Sequence, residues 1–368
     1  MTNYSIAVIP GDGVGVEVMR EGLRLLDRVA AIHGGISFTY TNYDWSCEHY
    51  ARTGRMMSPD GMERLADANA ILLGAVGFPG VPDHVSLRDL LLAIRQGFDQ
   101  YVNLRPIKLI DVRDCPIKGK TVADVDMIFV RENTEGEYAG VGGRTRAGTE
   151  HETVVQSAVF TRRNTERLMR YSFDLARRRA EQRERAGRKT YNKVTSVTKS
   201  NAFNYSMVFW DEVFAEIGAD YRDIATDQYH VDAMAMYMIQ RPEDFDVVVA
   251  SNLFGDILTD LGGVLQGGLG FAAGGNINPD RRFPSMFEPV HGSAPTIAGK
   301  DIANPIAMVW TVALMLDFLD LGDEAARIIA SIERVITGDR SGLTPDMGGS
   351  GTTTAVGDAL IAALEEVT

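Results

Sequence analysis

Asp256 and Asp260 stand one helical turn apart in the stretch DVVVASNLFGDILTD, residues 246 to 260. At that spacing two carboxylates share one face of a helix, near its start. Like charges so placed repel unless something positive lies between them. Hard divalent ions such as Mg2+ or Mn2+ suit that gap, because they take a few carboxylate oxygens from protein and the rest of their shell from substrate. The plainer reading is two acids favouring the dipole of a helix N-terminus. Asp232, in YHVDAMAMYMIQ, supplies a third carboxylate, and Arg95, Arg105 and Arg131 supply three guanidinium forks. Arginine grips carboxylates in bidentate fashion, although each of these alone also fits a surface ion pair. Lys199 and Tyr138 are candidates for proton transfer. A carboxylated substrate held by arginines, and chelated to a metal by its own hydroxyl and carboxylate, would use the whole set. A metal on the hydroxyl oxygen stabilises charge developing there as a neighbouring carboxylate leaves as CO2. The chemistry indicated is oxidative decarboxylation.

These residues need elements to hold them. Asp246 to Ser251 is a short apolar run suited to a strand buried on both faces. Asn252 and Gly255 break the pattern before Ile257, Leu258 and Leu261 resume it at helical spacing. Strands also read at Ile6 to Ile9, Ser37 to Tyr43, Ala70 to Leu73 and Met127 to Val130, with Arg131 directly after the last. The first part of HVSLRDLLLAIRQGFDQYVNLRP (84 to 106) is helical and presents Leu87, Leu91, Ile94 and Phe98 at core spacing. The three arginines then fall at element ends. A strand ends at Lys199, and a helix is expected to start near Ser200 or Asn201. Residues 135 to 160 are polar and glycine-rich, then β-like in ETVVQSAVF, an excursion that reads as an arm for another subunit. GGVLQGGLGFAAGGNINP (262 to 279) is flexible by composition. The loop FEPVHGSAPTIAGKDIANP, before an apolar helix from Ile306 to Leu319, is organised enough to be functional. The opening loop GDGVG (11 to 15) lacks the GxGxxG spacing, and no acid closes a second strand at the required distance. An ordinary Rossmann domain is excluded.

The 368 residues suffice for two domains, and 45% hydrophobic with 24% charged residues is the composition of a globular protein. A net charge of -13 argues against nucleic acid or an anionic membrane as a partner. The one basic run, residues 162 to 189, reads as a long amphipathic helix with Leu168, Met169, Phe173, Leu175 and Ala176 inward and a solvated basic face. Cys47 and Cys115 lack disulfide or metal spacing and suit a reducing compartment. The start MTNYSIAVIPGDG enters a strand at once, leaving no room for a signal peptide, and no apolar run reaches the roughly 18 residues of a membrane span. The expected location is cytoplasmic.

The motifs FGDILTD, EPVHGSAP followed by AGKDIANP, RENTEGEY, NLRP and IPGDGVG, in that family's order across residues 6 to 354, resemble the β-decarboxylating 2-hydroxyacid dehydrogenases. This is the isocitrate/isopropylmalate dehydrogenase family. VPDHVSL, FDQYVNLRP, VTKSNAF and DVVVASNLFGDIL resemble its tartrate and D-malate branch. The resemblance implies an α/β, two-domain fold that is not Rossmann. Residues 1–101 with 267–368 would bind the cofactor, and 102–266 would bind substrate and dimerise, with the arm at about 135–160. It implies that Asp256 and Asp260 bind metal in one subunit while Asp232 and Lys199 are lent by a dimer partner. Lys199 would be the base for the hydroxyl proton and Tyr138 the acid for the enol. Arg95, Arg105 and Arg131 would clamp substrate. Val14, Glu288, His291, Gly292, Ala294, Asn304 and Asp346 would bind the dinucleotide.

Two departures bear on specificity. Thr296 stands where NAD-using members carry Asp, and Thr296–Ile297 where NADP-using members carry Lys–Tyr. With no cation for a 2′-phosphate, NAD is expected over NADP. Arg88 and Asp89 replace the branch's Trp–Gly, in the segment facing the substrate's C3 group. Leu91 and Leu92 suggest an apolar lining and Arg88 a grip on an extra carboxylate. The expected reaction is oxidative decarboxylation of a malate-like 2-hydroxy acid, D-malate or tartrate first and 3-isopropylmalate as the alternative. The branch also implies a monovalent ion such as K+. A catalytically silent regulatory subunit is the remaining reading, opposed by the intact Tyr138, Lys199 and three aspartates.

Overall fold

The computed structural model describes residues 1–367. The chain runs through β1 (Thr2–Gly11), α1 (Val14–His33), β2 (Ile36–Asn42), α2 (Cys47–Thr53), α3 (Gly61–Ala66) and β3 (Ala70–Ala75). Next come α4 (Asp83–Ser86), a π-helical turn (Leu87–Leu92), α5 (Ala93–Gly97), β4 (Val102–Lys108) and β5 (Asp126–Glu132). A hairpin of β6 (Gly136–Thr145) and β7 (Thr153–Val159) leads into α6 (Arg162–Arg185), β8 (Lys193–Thr198) and α7 (Ser206–Gly218). There follow β9 (Ala225–His230), α8 (Val231–Gln240), β10 (Val247–Ala250) and α9 (Asn252–Leu265). The chain ends through β11 (Ala273–Ile277), β12 (Ser285–Pro289), α10 (Ile306–Phe318), α11 (Gly322–Thr337) and α12 (Thr353–Glu366).

Two compact units result. The first comprises Met1–Gln100, Lys108–Val122 and Gly263–Thr368, and the second Tyr101–Ile107 with Ala123–Gly262. In the first, strands lie in the order β2-β1-β3-β12-β11, parallel except that β11 runs antiparallel to β12. All of β3 is buried, as its unbroken apolar run demands in a strand covered on both faces. Helix α10 is apolar all round because α1, α11, β11 and β12 surround it. Trp45, Leu73, Leu90, Ile94 and Phe98 form a second cluster, against which Leu91 packs.

In the second unit the order is β4-β5-β10-β8-β9, with β5, β10, β8 and β9 parallel. Helix α6 lays Leu168, Met169, Phe173 and Ala176 inward, as its spacing predicts. Its basic face is not all solvated. Arg183 is buried, and Arg179 and Arg183 both reach Asp246 Oδ1, at 2.8 and 2.6 Å. The hairpin β6–β7 is antiparallel and leaves Val141, Val154 and Val155 exposed.

Four local expectations fail. Arg105 and Arg131 lie inside β4 and β5, and Arg131 pairs in register with Ala250 of β10. Their charges are satisfied by side chains of the same unit, so a strand can carry them. Helix α7 begins at Ser206, because Ala202 and Phe203 N–H close a single turn on the Lys199 carbonyl. Gly255 lies inside α9, not at a break. The stretch 262–279 is ordered and holds the buried strand β11, with Gly262, Gly267, Gly270 and Gly275 serving close packing. A Cβ on Gly270 would come within 2.8 Å of Asn304 Nδ2.

Candidate active site

In the second unit, β10 delivers the chain to α9, whose first turn is tied down by side chains. Glu137 Oε2 accepts from Leu253 N–H at 3.1 Å and its Oε1 from Ser251 Oγ–H at 3.0 Å. The first of these satisfies a backbone donor that a helix start leaves unpaired. Asp256 and Asp260 then fall on one face, as their spacing requires.

Asp256 is the hub. Arg131 Nη1 donates to its Oδ1 at 2.6 Å, Arg105 Nη1 lies 3.2 Å from the same oxygen, and Tyr138 Oη donates to Oδ2 at 2.9 Å. Arg105 also donates to Asn103 Oδ1 and Thr259 Oγ1, at 2.8 and 2.7 Å. Arg131 Nε donates to Asn252 O at 2.8 Å and Oδ1 at 3.1 Å, and its Nη2 to Oδ1 at 2.7 Å. Its aliphatic stem lies on α9 at Gly255, where a Cβ would come within 2.6 Å of Arg131 Cγ. Burial, then the charge of Asp256, push the Asp260 carboxyl up against the pull of both arginines. The same two causes push the Tyr138 phenol up, so it holds its proton at neutral pH.

Two carboxylates with a like-charge penalty, beside guanidiniums and a phenol, form a donor set that fits a hard divalent ion with substrate oxygens completing its shell. Asp232 does not complete it within one chain: among the described residues no three His, Cys, Asp or Glu stand close enough to hold a metal. Asp232 opens α8 and accepts from Lys199 Nζ at 2.7 Å, an exposed pair just beyond β8. That hydrogen bond holds the Asp232 carboxyl below the usual range.

The residues expected to bind dinucleotide lie in the first unit. Val14 N–H, first in α1, donates to Ser293 O at 2.9 Å, and Ile297 N–H donates to Ala294 O at 3.1 Å, Ala294 having φ 40°. Asn304 Nδ2 donates to Asp346 Oδ2 at 3.0 Å. Thr296 is exposed, and a Cβ on Gly292 would meet nothing within 4 Å. The His291 ring nitrogen Nε2 is buried without a hydrogen-bond partner among the described residues, and burial pushes its pKa down. An orphaned ring nitrogen beside an open glycine fits a polar ligand. Glu288 is buried in β12, where its Oε1 accepts from Arg95 Nη2 at 2.5 Å and Asn276 Nδ2 at 2.7 Å. Arg88 is exposed on the π-helical turn, Leu92 is buried and Leu91 half-buried.

Sequence reasoning passed over Asn252, Glu132, Glu137 and Asp12. Asn252 looked like a breaker, yet Asn at a strand-to-helix junction is a helix-start signal. Asp12 is buried in the GDGVG loop, accepting from Cys47 N–H and Gly77 N–H at 3.0 and 3.1 Å.

The fold and this site define a dehydrogenase class: a model of the isocitrate/isopropylmalate dehydrogenase family matches residues 5–360, and the chain belongs to that family. It is 50% identical over 367 residues to the decarboxylating D-malate dehydrogenase of Escherichia coli (strain K12), covering 98% of each chain. It is 48% identical over 366 residues to the tartrate dehydrogenase/decarboxylase of Pseudomonas putida, covering 97% of each. The solved isocitrate dehydrogenase from Methylococcus capsulatus matches with a TM-score of 0.85 at 34% identity, covering 98% of this chain and 99% of that one.

Proposed function

We propose that this chain is a metal- and NAD-dependent dehydrogenase that oxidises and decarboxylates a malate-like 2-hydroxy acid, D-malate first and tartrate next. The observation that carries the reading is the convergence of Arg105, Arg131 and Tyr138 on Asp256, one turn from Asp260. Carboxylate grips, metal-type carboxylates and a protonated phenol thus share one patch. The two relatives' names support the substrate class.

Asp256 and Asp260 would hold a divalent ion that would supply stabilisation of negative charge on the C2 oxygen, and a bound dinucleotide would supply the acceptor for the C2 hydride. Arg105 and Arg131 hold the substrate carboxylates. Lys199 takes the hydroxyl proton, and Tyr138 Oη–H gives a proton to C3 after the carboxylate there has left as CO2. Val14, His291, Gly292, Ala294, Thr296, Asn304 and Asp346 bind the dinucleotide. Thr296 and Ile297 bring no cation for a 2′-phosphate, which favours NAD over NADP.

Lys199 and Asp232 serve the site of a second copy. In its favour, Asp232 does not join Asp256 and Asp260 within one chain, and Phe203, Tyr205, Val208, Met236, Ile239 and Ile257 expose apolar surface on the same unit. No helix among the described residues is long and apolar enough to cross a membrane. The free thiols Cys47 and Cys115 suit a reducing cytoplasm.

The test is initial-rate reduction of NAD and NADP with Mn2+, with and without K+, across D-malate, both chiral tartrates, 3-isopropylmalate, isocitrate and homoisocitrate. The expected result is metal-dependent NAD reduction strongest with D-malate. Preference for 3-isopropylmalate would move the substrate. No reduction with any acid would overturn the reading.

A further inference from the structure

We propose that Glu132 and Asn252 are positioning residues that set the direction of the Arg131 guanidinium through the polarity of a hydrogen-bond chain; the inference rests on Arg131 being a substrate grip. A primary amide is directional, one end accepting and the other donating. Asn252 turns its acceptor to Arg131, with Oδ1 taking both Nε–H and Nη2–H. Its donor end goes the other way, with Nδ2 donating to Glu132 Oε2 at 3.2 Å and to Glu135 O at 3.3 Å. Turned over, the amide would face two N–H groups of Arg131 with N–H groups of its own.

Glu132 forbids that turn. It is a buried carboxylate whose Oε1 accepts from Thr134 N–H at 2.7 Å, Glu135 N–H at 2.8 Å, Asn164 Nδ2 at 2.8 Å and Thr134 Oγ1 at 3.2 Å. Four donors hold Oε1 in place and leave Oε2 to Asn252. The order of the chain is therefore Glu132, Asn252, Arg131, Asp256. Every member is buried or half-buried, where an unmatched polar contact costs most.

The polarity makes a sharp test. In Glu132→Gln, the oxygen must stay with the four donors, so the new NH2 group faces Asn252 Nδ2. Donor meets donor, and relief requires the Asn252 amide to turn over against Arg131. Asn252→Asp alone sets an anion against Glu132 Oε2. The double variant Glu132→Gln with Asn252→Asp keeps the net charge and restores an acceptor at both ends, losing only the contact to Glu135 O. Each single change is expected to lower kcat/KM for the hydroxy acid by roughly 100-fold, mainly through KM, with the KM for NAD unchanged. The double variant should recover at least about tenfold over the worse single.

A lesion that merely loosened the fold would raise the KM for the acid and for NAD together, lower the melting temperature, and would not be rescued. Crystal structures of Glu132→Gln and of Asn252→Asp, the second in case the first folds poorly, should show Arg131 Nη1 displaced from Asp256. Unchanged kinetics in both singles, no rescue in the double variant, or Arg131 unmoved in the variant structures would each overturn the proposal. Wild-type inactivity on every acid would instead remove the functional reading, and the variant structures would still decide whether Glu132 and Asn252 aim Arg131.

Discussion

In the first unit, the candidate dinucleotide residues Val14 and Ala294 are held by main chain: Val14 N–H on Ser293 O and Ile297 N–H on Ala294 O. In the second, Arg131, Tyr138 and Asp256 are held mainly by side chains, their own and that of Asn252. Main-chain contacts survive most substitutions, because every residue but proline carries the same groups. A side-chain cluster depends on which atom donates at each link, so a single exchanged atom propagates. The first arrangement suits a ligand taken in a fixed loop. The second suits groups that must be aimed at reacting atoms.

The largest effect tests whether the second unit's cluster is complete in one chain. Lys199→Met and Asp256→Asn should each lose roughly 1,000-fold or more in kcat. If two copies share their sites as proposed, about half of the co-expressed dimers would pair the two variants, and each such dimer would keep one intact site. The mixture should return about a quarter of wild-type activity. An inactive mixture would show that Lys199 and Asp256 serve the same chain's site.

A pair of glycines sharpens the contrast. A Cβ on Gly255 would lie 2.6 Å from Arg131 Cγ and 2.8 Å from its Cβ, whereas one on Gly292 would touch nothing within 4 Å. Gly255→Ala should therefore cost roughly 100-fold in kcat/KM for the acid and lower the melting temperature by several degrees. Gly292→Ala should leave the melting temperature alone and raise only the KM for NAD, by up to about tenfold. Equal kinetic losses, or none at Gly292, would break the assignment of that loop to the dinucleotide.

The same contrast explains what could be read in advance. Buried strands such as β3 and β10 announce themselves as unbroken apolar runs, and the amphipathic α6 by its period, so the α/β order was legible. Arg105 and Arg131 looked like element ends because periodicity counts a charge as an interruption, whereas partners such as Asn252 and Thr259 let a strand bury it. Residues 262–279 looked slack because glycine content does not say whether the missing side chains make room for neighbours. The four-residue chain from Glu132 to Asp256 was illegible for a stronger reason. Spacing places a residue on a face, but donor direction is a property of the fold.

The smallest expected effect concerns acid, and asks whether side-chain charge also holds the second unit's scaffold. Asp126 carries Arg179 Nη2 at 3.0 Å from Oδ1 and Arg183 Nη2 at 3.1 Å from Oδ2. Burial alone would push this carboxyl up, and the two guanidiniums more than reverse it, bringing it down to about 2 from 3.8. A folded pKa below the unfolded one means that stability is present above the unfolded value and lost as pH falls through the folded one. Asp126 should thus contribute about 2 kcal/mol at neutral pH, fading between pH 4 and about pH 2. Asp126→Asn should be less stable than wild type by that amount in urea at pH 7, and the gap should narrow as unfolding is repeated toward pH 2. Exchange of amide hydrogens in α6 and β5 should respond with it. A gap that stayed constant down to pH 2 would mean that Asn at this position loses packing or hydrogen bonds, and that the ion pairs with Arg179 and Arg183 contribute little.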